Sequence, residues 1–162
     1  MKHVIYLLLG SNQGDKIALL KKACKEIAVH IGTIKIFSSF YESEPWGFEA
    51  DEWFVNQVLQ VETILTPEEL LTAVQQIEQQ LGRVRRQSAS YESRAIDIDI
   101  LFYDMLALQT KELVIPHPRI QERHFTLLPL TEIAPTFRHP LLQKNIATLL
   151  HESGDNGVVR RL

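Results

Sequence analysis

The sequence predicts an α+β fold: a ferredoxin-like β-α-β-β-α-β core with an antiparallel sheet and helices on one face, followed by a C-terminal hairpin and short helices. Three observations predict it. Strand-like runs over about Val4 to Leu9, Ile34 to Tyr41, Phe54 to Thr63 and Ile96 to Phe102 are interleaved with helical periodicity over about Lys16 to Ile31 and Pro67 to Leu81, in the order the motif requires. Turn and cap residues fall at the ends of these runs. No internal repeat and no long linker interrupts the order, so the 162 residues read as a single domain, 1–162.

Each element has its own signal. The apolar run Val4-Ile5-Tyr6-Leu7-Leu8-Leu9 suits a buried first strand and ends at the turn Gly10-Ser11-Asn12-Gln13-Gly14-Asp15, which also caps the next helix. That turn lacks the Gly-Lys-Ser/Thr ending of a phosphate loop and reads as structural. In the first helix Leu20, Cys24, Ile27 and Ile31 repeat at helical spacing, and Gly32 closes it. The third strand splits at period two, with Val55, Gln57, Leu59 and Val61 opposed to Phe54, Asn56, Val58, Gln60 and Glu62. Thr66-Pro67-Glu68-Glu69 is a capping box, and Leu70, Val74, Ile77 and Leu81 form the apolar stripe of the helix it opens. The loop from Arg83 to Glu92 is basic and then small and polar, with nothing in its middle to anchor a core. Downstream, Leu106 to Leu108 and Glu112 to Ile115 suggest a hairpin, Thr126 to Ile133 and Asn145 to His151 suggest short helices, and Gly154 to Gly157 suggests a frayed tail.

Composition narrows the function. A net charge of −3 and a pI near 6.1 give no general attraction to nucleic acid. The single cysteine, Cys24, rules out an intrachain disulfide and fits a reducing compartment. No run approaches the ~20 apolar residues of a membrane span, and the N-terminal apolar run lacks a cleavage pattern, so a soluble, cytoplasmic protein is expected.

The chemistry centres on Arg94-Ala95-Ile96-Asp97-Ile98-Asp99-Ile100-Leu101. At period two the isoleucines share one strand face, and Asp97 and Asp99 share the other, roughly 7 Å apart. Aspartate is depleted in strands, and two like charges on one face repel unless something positive lies over them. Hard divalent cations prefer such ligands; the plainer alternative is a solvated strand face. Arg83, Arg85, Arg86 and Arg94 flank the pair, with Arg119 and Arg123 downstream, and arginine forks match phosphate oxygens. ATP brings about four negative charges, which two Mg2+ ions and a few arginines would balance together with the two aspartates. Trp46, Phe48, Phe54 and Phe125 offer faces for a flat heterocycle and Asn56 offers a donor and acceptor for its edge, although any one of these aromatics also serves as core. His117, between two prolines, is held in an extended segment.

On these residues the chain resembles the 6-hydroxymethyl-7,8-dihydropterin pyrophosphokinases of folate biosynthesis. The most specific match is the Arg-x-x-Asp-hydrophobic-Asp-hydrophobic-hydrophobic run from Arg94 to Leu101. Supporting it are Gly10-Ser11-Asn12, Ser38-Ser39-Phe40-Tyr41 with Pro45-Trp46-Gly47, Phe54-Val55-Asn56, Glu78 with Gly82-Arg83-Val84-Arg85, and Pro116-His117 with Arg123 and Phe125, in order from about Tyr6 to Pro135. The resemblance implies transfer of pyrophosphate from ATP to the pterin hydroxymethyl group, with release of AMP. It implies that Asp97 and Asp99 ligate two Mg2+ ions, that Arg83 and Arg94 clamp phosphates, and that Glu78, Arg85, Ile100, His117 and Arg123 lie on the ATP side. It further implies that Asn56 binds the pterin edge between Phe54 and Phe125, with Ser43, Glu44, Pro45 and Trp46 as pocket wall. The partners are then the two small molecules alone, without nucleic acid or membrane, and the protein is expected to be a monomer.

Three departures from the family pattern bear on this. Tyr91-Glu92-Ser93-Arg94 stands where many members have aromatic-Gly-Pro-Arg, the loop before it is one residue longer than in some, and Phe54 replaces a frequent tyrosine. Two other readings stay open on the residues: a small-ligand regulatory module, since ferredoxin-like folds often serve as binding domains, and a different ATP-dependent transferase.

Overall fold

The computed structural model describes residues 1–45, 52–82, 84–85, 92–93 and 95–162, with 84–85 and 92–93 given by their backbone. In chain order the elements are β1 (His3–Ser11), α1 (Lys16–His30), β2 (Gly32–Phe37), β3 (Tyr41–Ser43), β4 (Phe54–Thr63), α2 (Pro67–Gln80), β5 (Val84–Arg85) and β6 (Glu92–Ser93). There follow β7 (Asp97–Tyr103), β8 (Leu108–Gln109), β9 (Val114–Ile115), a 3-10 turn at Ile120–Glu122, α3 (His124–Ile133), α4 (Ile146–Glu152) and β10 (Val159–Arg161).

The apolar run of β1 is buried from Ile5 to Ser11 because the strand is central and covered on both faces. It pairs antiparallel with β4, Leu7 opposite Leu59, and with β7, Leu8 opposite Asp99. The order is β10-β3-β4-β1-β7, with β2 also on β4, so the core is the ferredoxin-like arrangement. Asp15 caps α1 through the Ala18 N–H, the Thr66/Glu69 capping box closes around the start of α2, and Gly82, at φ 121°, follows its end. Both helices pack on one face over Ile5, Leu7, Leu9, Val55, Leu59, Val61, Ile98 and Ile100. A register shift in the β1–β7 pair between Tyr6 and Leu7 turns Phe102 to the opposite face, beside Leu101. There Leu127 and Leu130 of α3 and Ile146 and Leu149 of α4 cover Tyr6, Leu8 and Val58. The second face is thus half covered, and its open half carries the site.

Two expectations are corrected. The strand over Ile34 to Tyr41 is two strands, broken at Ser38: its N–H bonds the Val58 carbonyl, but its hydroxyl, not its carbonyl, takes the Val58 N–H. The Ser38 carbonyl accepts instead from the Gln57 side chain, so the ladder stops and β3 resumes opposite Asn56. The tail is not frayed. Its carboxylate Asp155 accepts from the His124 and Gly157 N–H groups, and β10 adds to the sheet edge beside β3. Among the described residues no helix is long and apolar enough to cross a membrane.

Candidate active site

The floor of the site is a row across three strands. Gly10 of β1 lies opposite Asn56 of β4 on one side and Asp97 of β7 on the other, and the next row joins Val58, Leu8 and Asp99. Asp97 and Asp99 therefore face the same way, beyond the ends of α3 and α4, while Ile98 and Ile100 are buried against α1 and α2. A solvent-open pocket of about 610 Å³ rests on this floor, bounded by Phe54, Asn56, Asp97, Asp99, Arg123 and Phe125 among others. Gly10 leaves room in its middle: a Cβ there would come within 2.8 Å of the Asn56 side-chain oxygen.

At one end Asn56 is only 3% exposed, and its amide N–H donates to the Ser43 hydroxyl at 2.9 Å, which fixes the amide's orientation. Phe54 and Phe125, both half-buried, line the same pocket. Phe125 sits in the first turn of α3, where the Arg123 guanidinium lies 5.3 Å from its ring centroid. Arg123 thus joins the aromatic end to the carboxylate end. Burial lowers its pKa from the usual guanidinium value, Asp99 acts in the opposite direction, and Arg119 adds to the lowering.

At the other end Glu78, buried on α2, accepts the N–H of Ile98 at 2.9 Å, between the two aspartates, and so ties β7 to the helix behind it. Ser11 pins the start of β7 from below through the Ala95 carbonyl at 2.6 Å. His117 follows β9 and donates its backbone N–H to Leu101. Its Nδ1 accepts from the Arg119 N–H at 3.1 Å, and burial, with Arg123 and Arg119 nearby, pushes its pKa down to about 4. The imidazole is therefore neutral at pH 7, and with Nδ1 occupied as acceptor it carries its proton on Nε2. Among the described residues no cluster of three or more His, Cys, Asp or Glu side chains could hold a metal ion. A pair of carboxylates on an open floor still fits magnesium, which commonly takes one or two protein carboxylates and completes its shell with waters and phosphate oxygens.

Comparison with known proteins decides the family. A family model for 7,8-dihydro-6-hydroxymethylpterin-pyrophosphokinase matches residues 6–135. The chain belongs to this family. It is 42% identical over 140 residues to the 2-amino-4-hydroxy-6-hydroxymethyldihydropteridine pyrophosphokinase of Aquifex aeolicus, covering 86% of each chain. It is 40% identical over 139 residues to the same-named enzyme of Porphyromonas gingivalis, covering 85% of this chain and 94% of that one. A solved Plasmodium falciparum HPPK-DHPS structure with pteroate superposes with a TM-score of 0.76 at 16% identity. It covers 94% of this chain and 44% of that longer one, and supports the fold.

In this pyrophosphokinase the pocket brings together Ser43, Glu44, Phe54, Asn56, Asp97, Asp99, Arg123 and Phe125, all singled out from the sequence. Pro45 lines an adjoining groove with Ser43, Glu44 and Phe125. Glu78 stands behind β7, His117 beside Arg123, and the Ile100 side chain lies in the core on the opposite face. Trp46, Arg83 and Arg94 lie outside the described residues, as does the Arg85 side chain. Sequence reasoning took the Gly10 turn as structural and passed over Leu8, yet both line the pocket. A glycine at the end of an otherwise bulky apolar strand was the available signal of a close approach.

Proposed function

We propose that this pyrophosphokinase moves the pyrophosphoryl group of ATP to the hydroxymethyl oxygen of 6-hydroxymethyl-7,8-dihydropterin and releases AMP. One observation carries the reading: a single pocket is lined by an oriented amide, two aromatic rings, two strand carboxylates and an arginine. The amide and rings suit the edge and faces of a pterin, and the carboxylates and arginine suit a triphosphate. Asn56 would bind the heterocycle's edge, Phe54 and Phe125 its faces, and Ser43, Glu44, Pro45 and Trp46 the wall. Phe54 offers its ring alone, so stacking survives where a tyrosine's hydroxyl contact would be lost.

Asp97 and Asp99 would hold two Mg2+ ions. Magnesium held there would supply neutralisation of phosphate charge and a lower pKa for the attacking hydroxyl. The chain's own residues do the positioning. Asn56 and the rings aim the hydroxyl oxygen at the β-phosphorus; the new P–O bond forms as the bond to the α,β-bridging oxygen breaks, that oxygen leaves with AMP, and the hydroxyl proton passes to solvent. Arg123, and Arg83, Arg85 and Arg94 by family resemblance, would balance charge on the phosphates, which is the main demand of such a transfer. A neutral His117 would donate from Nε2 to a phosphate oxygen, and the adenosine would lie near Glu78 and the backbone of Ile100.

Nucleotide analysis of the protein incubated with ATP, magnesium and the pterin tests the reading. AMP that appears only with the pterin is the expected product. ADP would mean simple phosphoryl transfer, and no turnover would leave a binding module.

A further inference from the structure

The C-terminal segment bridges the two walls of the pocket. The Asp155 carboxylate takes the N–H of His124 at 2.8 Å through one oxygen and the N–H of Gly157 at 2.8 Å through the other. His124 is the first residue of α3, whose own Ncap position, Arg123, offers no side-chain cap. Asp155 therefore caps this helix from 31 residues away, with its negative charge at the positive end of the helix dipole. Arg123 and Phe125, on either side of the capped residue, both line the pocket.

The same segment grips the opposite wall. Val158 donates its N–H to the Glu44 carboxylate at 2.9 Å, and Glu44 returns its own N–H to the Val158 carbonyl. One residue on, β10 pairs with β3, Val159 opposite Ser43, whose hydroxyl orients Asn56. Gly157 fits between the two anchoring carboxylates: a Cβ there would lie 3.1 Å from Asp155 Oδ1 and 3.6 Å from Glu44 Oε1. Hydrogen bonds and chain neighbours thus link His124, next to Phe125, through Asp155, Gly157 and Val158 to Glu44, Ser43 and Asn56.

We infer that Asp155 is a positioning residue for the pterin: it sets the spacing between the Phe125 wall and the Ser43–Asn56 wall through the C-terminal strap. This rests on the reading of Phe54, Asn56 and Phe125 as the pterin end. The aspartates of β7 are held independently by β1, Glu78 and Ser11, so the strap leaves the carboxylates in place and reaches the phosphate side only through Arg123.

The test measures KM for the pterin and for ATP in Asp155→Ala, Asp155→Asn and, as a reference, Asn56→Ala. Loss of a cap of this kind corresponds to a rise in pterin KM of about tenfold in Asp155→Ala, with a distinctly smaller rise in ATP KM, carried by Arg123 alone. Asp155→Asn, which keeps one acceptor oxygen, falls between it and the wild type. Equal rises for both substrates, or no rise, would overturn the inference while Asn56→Ala still raised pterin KM. No rise in Asn56→Ala would overturn the pterin-end reading and the inference with it. Should Asp155→Ala not fold, Gly157→Ala crowds the Asp155 carboxylate and is expected to raise pterin KM more than ATP KM; an unchanged KM there overturns the inference.

Discussion

The two faces of the sheet are built from the same strands and do opposite work. On the α1/α2 side, Ile5, Leu7 and Leu9 alternate with residues of the other face and are fully buried under two long helices. On the opposite side, the helical cover of α3 and α4 stops short, and the floor beyond it is Asn56, Gly10, Asp97 and Asp99. A strand that must support a core on one face and chemistry on the other needs sharp alternation, and β7 supplies it as Asp-Ile-Asp-Ile. The lesson is a division of labour: substitutions on the first face should cost stability, and those on the second should cost activity.

The largest effect separates the faces most cleanly. Asp97→Ala or Asp99→Ala is expected to lower kcat by about a thousandfold or more with little change in thermal midpoint, since each removes charge-balancing oxygens rather than packing. Steady-state AMP formation and a melting curve check both halves; near-full magnesium-dependent activity in either variant removes it from the machinery. Leu7→Ala is the mirror case, with a loss of about 3 kcal/mol of stability by denaturant unfolding. The kcat of the protein that remains folded should be close to wild type, and a large fall in kcat with stability unchanged would blur the two faces.

A subtler change falls on the border between them. Gly10→Ala places a methyl group against the Asn56 side-chain oxygen and should raise pterin KM about tenfold, as loss of one good hydrogen bond would. An unchanged KM would show that the Asn56 amide has room to move.

The smallest effect is in pH. His117 has a pKa of about 4 in the folded protein against 6.5 ordinarily, so between those values the unfolded chain binds more protons. Its contribution to stability is full above pH 6.5 and is lost as pH falls through that window. Urea unfolding at pH 7 and pH 5 should show a smaller loss for His117→Gln than for wild type; an equal loss would place the titrating group elsewhere.

How much of this was legible in the sequence follows the same division. The alternation of Ile96, Ile98 and Ile100 with Asp97 and Asp99 could be read because period two maps directly onto two faces. Asn56 stood out as an amide on the strand face it shares with Phe54, and its partner Ser43 came through the family pattern. What was not legible depends on contacts between distant segments. The strand break at Ser38 turns on a hydroxyl taking a ladder bond from Val58 20 residues away. The tail looked frayed because three-residue β10 carries no apolar signal of its own; its order comes from Asp155 and from Glu44, 114 residues from the Val158 it holds. Likewise, the residues of α3 and α4 suggested short helices, but not that these would cover half of the sheet's second face.

The double variant Asp97→Asn/Asp99→Asn gives the most direct test of the division between the faces. It keeps the size and shape of both side chains and removes two charges from the floor. Pterin-dependent AMP formation should fall below detection with magnesium and ATP present, while the unfolding midpoint stays within a few degrees of wild type. A variant that still forms AMP at a tenth of the wild-type rate would contradict the assignment of these carboxylates, and with it the claim that the open face of the sheet is where the reaction takes place.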